Sequence, residues 1–158
     1  MPEQLWVVAE GEVRSYYDLE SLLDRTLEEY FPGAKRPAIR WGRRVGRKRR
    51  RSIRLGSYSR TSATIRIHPF LDSSRVPLFF VQSIIHHEVL HHVLGASHDR
   101  RFHRHERRFR HYREARAWLR ANLAMLLGLR ERPRRVAAIE VRLRPPLPVA
   151  PAGQMLLF

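Results

Sequence analysis

The chain has 158 residues, no cysteine and a formal net charge of +16 at pH 7. This length is typical of one domain with a single core. The absence of cysteine excludes disulfides and cysteine-ligated zinc, so any transition-metal site must use histidine and carboxylate ligands. The N-terminus lacks the basic start and long apolar run of a signal peptide, and no window approaches a membrane span. We therefore expect a cytoplasmic protein without membrane contact.

The positive charge is unevenly distributed along the chain. Residues 1–29 contain eight acids and two arginines, whereas residues 30–71 contain thirteen lysines or arginines and no acid. A GC-rich coding bias would explain arginine in place of lysine, but it would not explain the missing acids. A block of one sign favours a polyanionic partner, for which nucleic acid is the leading candidate, ahead of a membrane surface or an acidic protein. The residues predicted to bind nucleic acid are Arg43, Arg44, Arg47, Lys48, Arg49, Arg50 and Arg51.

The predicted elements begin with a helix after Ser15, where Ser15 and Asp18 have the spacing of a capping box. Apolar residues then recur at helical spacing up to Pro32-Gly33. Three short alternating runs follow, AIRW (38–41), SIRL (52–55) and TIRI (64–67), and they predict a small three-stranded sheet with a cationic outer face.

Two further helices are predicted in the second half of the chain. Pro77 suits the first turn of a helix that Gly95 would end. Ser97 is predicted to cap a long third helix, on which His98 begins an apolar face that continues to Leu126. We therefore expect an α+β domain over residues 1–130. Residues 131–144 contain a candidate fourth strand, and residues 145–158 are expected to form a proline-rich flexible tail.

The second of these helices contains the motif HExxH at residues 87–91. Histidines four residues apart lie on the same side of a helix, so His87 and His91 can both reach one Zn²⁺ ion. Glu88 lies beside them as the predicted general base for the zinc-bound water. A third ligand is required, and His98 is the preferred candidate, ahead of Glu106 and Glu114. The other histidines of this region are expected at the surface or in support of a ligand; they are His86, His92, His103, His105 and His111.

The order of motifs over residues 16–112 resembles the SprT-like (Spartan-type) zincin domain. The matching segments are YFPG, GSYSR, TIRIHP, HExxH and a histidine followed by phenylalanine four residues later, in HDRRF. The resemblance implies a minimal zincin-like fold, zinc on His87, His91 and His98, Glu88 as general base, and Phe102 packed beneath the site. It also implies proteolysis of proteins bound or crosslinked to DNA, and therefore a nucleoid-associated location. Many members carry a cysteine-rich zinc ribbon; here DNA contact would fall to the arginine-rich loop and the third helix.

Some alternatives stay open on the sequence. A metzincin would need Gly at 94 and His at 97, which this chain lacks. A non-catalytic zinc-containing DNA-binding module would not require Glu88. A YbeY-like ribonuclease, with a pattern resembling HGxLHxxGxDH, would have glycine where Glu88 stands. For a peptidase, TIRI is expected to form the cleft edge that pairs with substrate. Tyr112, His103 and Arg101 are all candidates for a second oxyanion donor.

The final residues, QMLLF, place three large apolar side chains behind the proline-rich segment. They could pack on the domain. Gln154, Leu157 and Phe158 also resemble the QxxLF type of bacterial sliding-clamp binding motif. That resemblance implies a clamp as partner, with Leu157 and Phe158 in a hydrophobic pocket and Gln154 at its rim.

Overall fold

The structure is a computed structural model, and it describes residues 15–43 and 52–128. Within these ranges the chain forms an α+β fold, as predicted. The elements in chain order are α1 (Leu19–Tyr30), β1 (Ala38–Trp41), β2 (Gly56–Ser59), β3 (Thr64–Ile67), a short 3-10 turn (Pro69–Leu71), α2 (Leu78–Leu94), α3 (Arg100–Glu106) and α4 (Tyr112–Leu126). The candidate fourth strand and the C-terminal tail lie outside the described residues. No described helix is both long and apolar enough to span a bilayer.

Helix α1 begins later than the sequence predicted. Its N-cap is Asp18, whose carboxylate accepts hydrogen bonds from the amides of Glu20 and Ser21. Ser15 is exposed and lies outside the helix, so the predicted capping box at Ser15 is wrong. A carboxylate at the first turn also interacts favourably with the helix dipole, which a serine hydroxyl does less strongly.

The sheet has the order β1-β3-β2, with β1 parallel and β2 antiparallel to β3. The predicted strands at 38–41 and 64–67 are confirmed. The second strand was placed wrongly at 52–55, because pairing with β3 runs from Gly56 opposite Ile67 to Ser59 opposite Thr64. Ile53 and Leu55 are buried in the core and give the alternating pattern, but they precede the strand.

The strand order also changes which strand can border a cleft. Because β3 pairs with a neighbour on both sides, its backbone has no open edge. The expectation that TIRI pairs with substrate is therefore wrong. Within the described sheet, β2 is an edge strand, and it packs directly against α2.

Helix α2 is the centre of the fold. It packs against α1, α3, α4, β2 and β3, and ten of its 17 residues are buried. Pro77 is the N-cap of α2 rather than part of its first turn, and Gly95 is the C-cap, as predicted. Gly95 has φ 96° and ψ −168°, a conformation that only glycine adopts without strain. The chain can therefore reverse sharply after α2.

The predicted long third helix is divided into two. Asp99, not Ser97, caps α3, and its carboxylate accepts a hydrogen bond from the amide of Phe102 at 2.8 Å. The chain leaves helical geometry between α3 and α4, where buried Phe109 packs its ring against Tyr30 and His86. The break between the two helices lets the Phe109 ring face the junction of α1 and α2.

Candidate metal centre

Three histidines predicted as metal ligands lie together at the end of α2. The Nε2 atom of His87 is 3.2 Å from Nε2 of His91 and 3.3 Å from Nε2 of His98. Among the described residues, these three form the group of side chains able to hold a metal ion. The turn at Gly95 positions His98, which belongs to the segment between α2 and α3 and not to the third helix itself.

The spacing of these nitrogens fits a tetrahedral metal ion. Zinc binds imidazole nitrogen at about 2.0–2.1 Å, so two ligands of a regular tetrahedron lie about 3.3–3.4 Å apart. The two observed separations are within about 0.2 Å of that range. Three protein ligands would leave a fourth position for water or substrate, as catalytic zinc sites require.

In two of the three histidines the outer ring nitrogen, Nδ1, which is not the nitrogen facing the group, forms a hydrogen bond. His91 Nδ1 donates to the carbonyl of Gly95 at 3.0 Å, and His87 Nδ1 donates to Oε1 of Glu106 at 2.8 Å. A proton held on Nδ1 leaves the lone pair of the neutral ring on Nε2, where the three rings converge. Both contacts therefore favour the tautomer that binds metal.

The three imidazoles are also kept neutral by their surroundings. Burial, reinforced by the neighbouring imidazoles, lowers the pKa of His87 to about 4, of His91 to about 4 and of His98 to about 3. Phe102, which is fully buried, packs against all three rings with centroid separations of 5.1, 4.8 and 4.5 Å. Phe102 thus lies beneath the group, where the family resemblance implied it.

Glu88 follows His87 in α2 and is buried beneath β2. A β-carbon added to Gly56 would lie 2.6 Å from Oε1 of Glu88, so the backbone of β2 approaches the carboxylate closely. Burial raises the pKa of Glu88 to about 8, and the positive charge of Arg54 opposes that shift. A carboxyl group with its pKa near neutrality can both accept and return a proton, which general acid–base catalysis requires.

The two other acids considered as third ligands have different positions. Glu106 is buried and contacts the outer nitrogen of His87, so it supports a ligand instead of joining the group. Glu114 is exposed and lies 3.7 Å from His111. The contact of Glu106 with His87 was not predicted. It depends on the packing of α3 against α2, which no local periodicity of the sequence indicates.

The remaining histidines do not all lie at the surface. His86 is buried among the rings of Tyr30, Phe31 and Phe109, and burial lowers its pKa to about 3. It is a neutral core residue, so its expected surface or supporting position is wrong. His92 accepts from the Tyr58 hydroxyl and donates to the carbonyl of Lys35, both at 2.8 Å, and so links α2 to β2.

The candidates for a second oxyanion donor are spread around the site. His103 lies beside the metal group, with its ring centroid 6.2 Å from that of His98. Arg101 is exposed on α3. The Tyr112 hydroxyl accepts a hydrogen bond from Arg116 on its own helix. Of the three candidates, His103 is therefore the one whose ring packs against a histidine of the group.

The predicted nucleic-acid-binding residues lie largely beyond the described ranges. Arg43 is exposed, whereas Arg44, Arg47, Lys48, Arg49, Arg50 and Arg51 fall outside them, as do the tail residues Gln154, Leu157 and Phe158. A second basic surface extends over α3, the turn that follows it and the first turn of α4. Its members are all exposed: Arg100, Arg101, Arg104, Arg107, Arg108, Arg110 and Arg113. The one acid in this stretch, Glu106, is buried.

This arrangement of helices and a small sheet around the HExxH helix is a minimal zincin-like fold. Among solved structures, the chain is similar to the metallopeptidase zymogen of Methanocaldococcus jannaschii, jannalysin. The match has a TM-score of 0.53 and 16% sequence identity, and it covers 75% of this chain and 97% of the other. At this identity the similarity establishes the fold. No family model matches the chain, and no curated protein sequence matches it.

Proposed function

We propose that the chain is a zinc-dependent metallopeptidase of the SprT-like type, acting on proteins bound or crosslinked to DNA. The observation that carries the proposal is the convergence of three imidazole nitrogens, with Nε2 of His87 3.2 and 3.3 Å from the other two, on the helix that also contains the buried Glu88. The zincin-like fold supports peptidase chemistry, and the motif order supports the SprT-like assignment.

The roles of the residues follow from their positions. His87, His91 and His98 would hold the zinc ion, which when bound would polarise a scissile carbonyl and acidify water. Glu88 accepts the proton of the attacking water and returns it to the leaving amine. Its burial excludes bulk water from the carboxylate.

The substrate is proposed to pair with β2. This strand lies at the sheet edge, and its first residue, Gly56, touches Glu88. An extended peptide hydrogen-bonded to β2 would therefore run past the catalytic carboxylate. Recognition through main-chain atoms depends little on sequence, which suits an enzyme that removes varied proteins from DNA.

The proposal is tested with the zinc-loaded full chain, DNA and an unfolded basic protein as substrate. Glu88→Gln is expected to retain zinc and to lose cleavage, because the amide cannot accept the proton. Glu114→Gln, which changes an exposed acid of the same type, serves as the control and is expected to cleave normally. Equal cleavage by wild type and Glu88→Gln would refute the mechanism. Zinc and DNA binding without any cleavage would favour a non-catalytic binding module.

DNA contact is proposed for two parts of the chain, the basic segment that includes Arg49, Arg50 and Arg51 and the exposed arginines of α3 and its C-cap. Each phosphate contact that is removed should reduce the slope of log affinity against log salt by about 0.7–0.9. The salt dependence of DNA binding is compared between a variant with alanine at all three of these segment positions and an Arg104→Ala/Arg107→Ala variant of α3 and its C-cap. Unchanged slopes in both variants would refute this placement of DNA.

A sliding clamp is proposed as a further partner, through Gln154, Leu157 and Phe158. The motif resemblance supports it, and a tethered clamp would hold the peptidase close to replicating DNA. A peptide of residues 148–158 is expected to bind the host clamp, and the Leu157→Ala/Phe158→Ala peptide is the control. Equal binding by the two peptides would show that the tail has another role.

A further inference from the structure

The carboxylate of Glu106 connects two imidazoles at the metal centre. Its Oε1 accepts from His87 Nδ1 at 2.8 Å, and its Oε2 accepts from His103 Nδ1 at 3.2 Å. The Glu106 side chain is only 7% exposed, as is that of His87. Both oxygens of a buried carboxylate are thus used by histidines of two different helices, α2 and α3.

We propose that Glu106 is the positioning residue of the metal centre and that His103 holds the Glu106 carboxylate in place, so that α3 fixes the orientation and tautomer of His87. This inference rests on the metal site of the proposed function. Glu106 would act through His87, since its carboxylate contacts the ring nitrogen opposite the one that faces His91 and His98.

A buried carboxylate gives His87 a different environment from that of its partner ligand. The outer nitrogen of His91 donates to a neutral carbonyl at Gly95, whereas that of His87 donates to a carboxyl group. A negatively charged acceptor makes the stronger hydrogen bond and increases the basicity of the opposite nitrogen. His87 is also the ring whose Nε2 lies close to both other ligands, so its orientation determines whether the three nitrogens converge.

His103 explains why the carboxylate has a defined plane. A single hydrogen bond to His87 would leave rotation about the terminal bond of Glu106, and the second bond from His103 restricts it. His103 precedes Glu106 by three residues on α3, so it lies about one turn before Glu106 on the same helix. Loss of His103 should therefore weaken metal binding indirectly, and by less than loss of Glu106.

The test is the zinc affinity of the full chain, measured by competition with a chromophoric chelator at neutral pH. Glu106→Gln keeps the shape of the side chain but removes the charge. This variant is expected to bind zinc about 10- to 100-fold more weakly. His103→Leu should show a smaller loss, and His103→Gln, which retains an N–H donor, a smaller one still. Glu114→Gln is the control and should match wild type.

Two further measurements separate positioning from general stability. Thermal unfolding of the zinc-free variants shows whether Glu106→Gln remains folded, and the nitrogen chemical shifts of His87 report its tautomer. The proposal expects a folded variant in which the His87 tautomer becomes mixed. Zinc affinity within threefold of wild type, or an unchanged tautomer, would overturn it. Failure of the wild-type chain to bind zinc would instead overturn the proposed function and this role with it.

Discussion

Substitution of Gly56 by alanine tests how closely β2 packs against the carboxylate of Glu88, the proposed general base. An added β-carbon would lie 2.6 Å from Glu88 Oε1, 2.8 Å from Ile84 Cγ2 and 2.9 Å from Glu88 Cγ. Ordinary contact begins at 3.4 Å, so Oε1 alone would have to move by 3.4 − 2.6 = 0.8 Å. Ile84 and Glu88 are both 4% exposed, which leaves the displaced atoms no solvent to enter.

The expected cost has a structural and a catalytic part. Overpacking of a buried site typically costs about 1–3 kcal/mol of unfolding free energy. A displacement of about 1 Å in a catalytic group can reduce turnover on the order of 100-fold. We therefore expect Gly56→Ala to lower the melting temperature moderately and the cleavage rate strongly, with zinc still bound by the three histidines.

The measurements are thermal unfolding, zinc content and cleavage of a DNA-bound substrate. Gly42→Ala is a matched control, because its β-carbon would meet the Ile67 carbonyl oxygen at 3.5 Å and Pro69 Cδ at 3.6 Å, which are ordinary contacts. Wild-type stability and activity in Gly56→Ala would refute the close approach of β2 to Glu88. Equal losses in both variants would show that the effect is a general one of glycine replacement.

Three other predictions concern caps and protonation. Asp18→Ala should cost about 1 kcal/mol of unfolding free energy by removing the α1 cap, whereas Ser15→Ala should change little, as chemical denaturation would show; similar effects of the two would contradict the assigned cap. Gly95→Ala should cost about 1–3 kcal/mol through backbone strain and should also weaken zinc binding by displacing the carbonyl that holds His91; a stable variant with wild-type zinc affinity would refute this. Because burial lowers the pKa of His86 to about 3, only the unfolded chain gains its proton as the pH falls below 6.5. The zinc-free wild type should therefore lose about 2–3 kcal/mol from this group by about pH 4.5, and His86→Phe should show a shallower loss in denaturation at several pH values.

The sequence predicted those features that depend on local periodicity. The HExxH pair, the apolar stripes and Gly95 place α2 and its two histidines correctly, because helical spacing alone brings residues four apart to one side. The strands at 38–41 and 64–67 were also predicted, since alternation is a local signal.

The features that were missed depend on packing between distant segments. Alternation in SIRL reflects burial of Ile53 and Leu55, whereas the strand itself is set by pairing with β3 and lies four residues later, at Gly56–Ser59. The division of the third helix follows from the contact of Phe109 with α1 and α2, and the position of Glu106 from the packing of α3 on α2. No spacing within the sequence encodes such contacts.

The central position of α2 has a consequence for how fast a bound metal could leave. Two of the candidate ligands belong to a helix enclosed on several sides, whereas His98 belongs to the short connection after Gly95. Buried helices open only with the whole domain, but short connections can open locally at a much smaller free-energy cost. Dissociation of zinc would therefore begin at His98, and a chelator should extract the ion faster than the amides of α2 exchange with solvent.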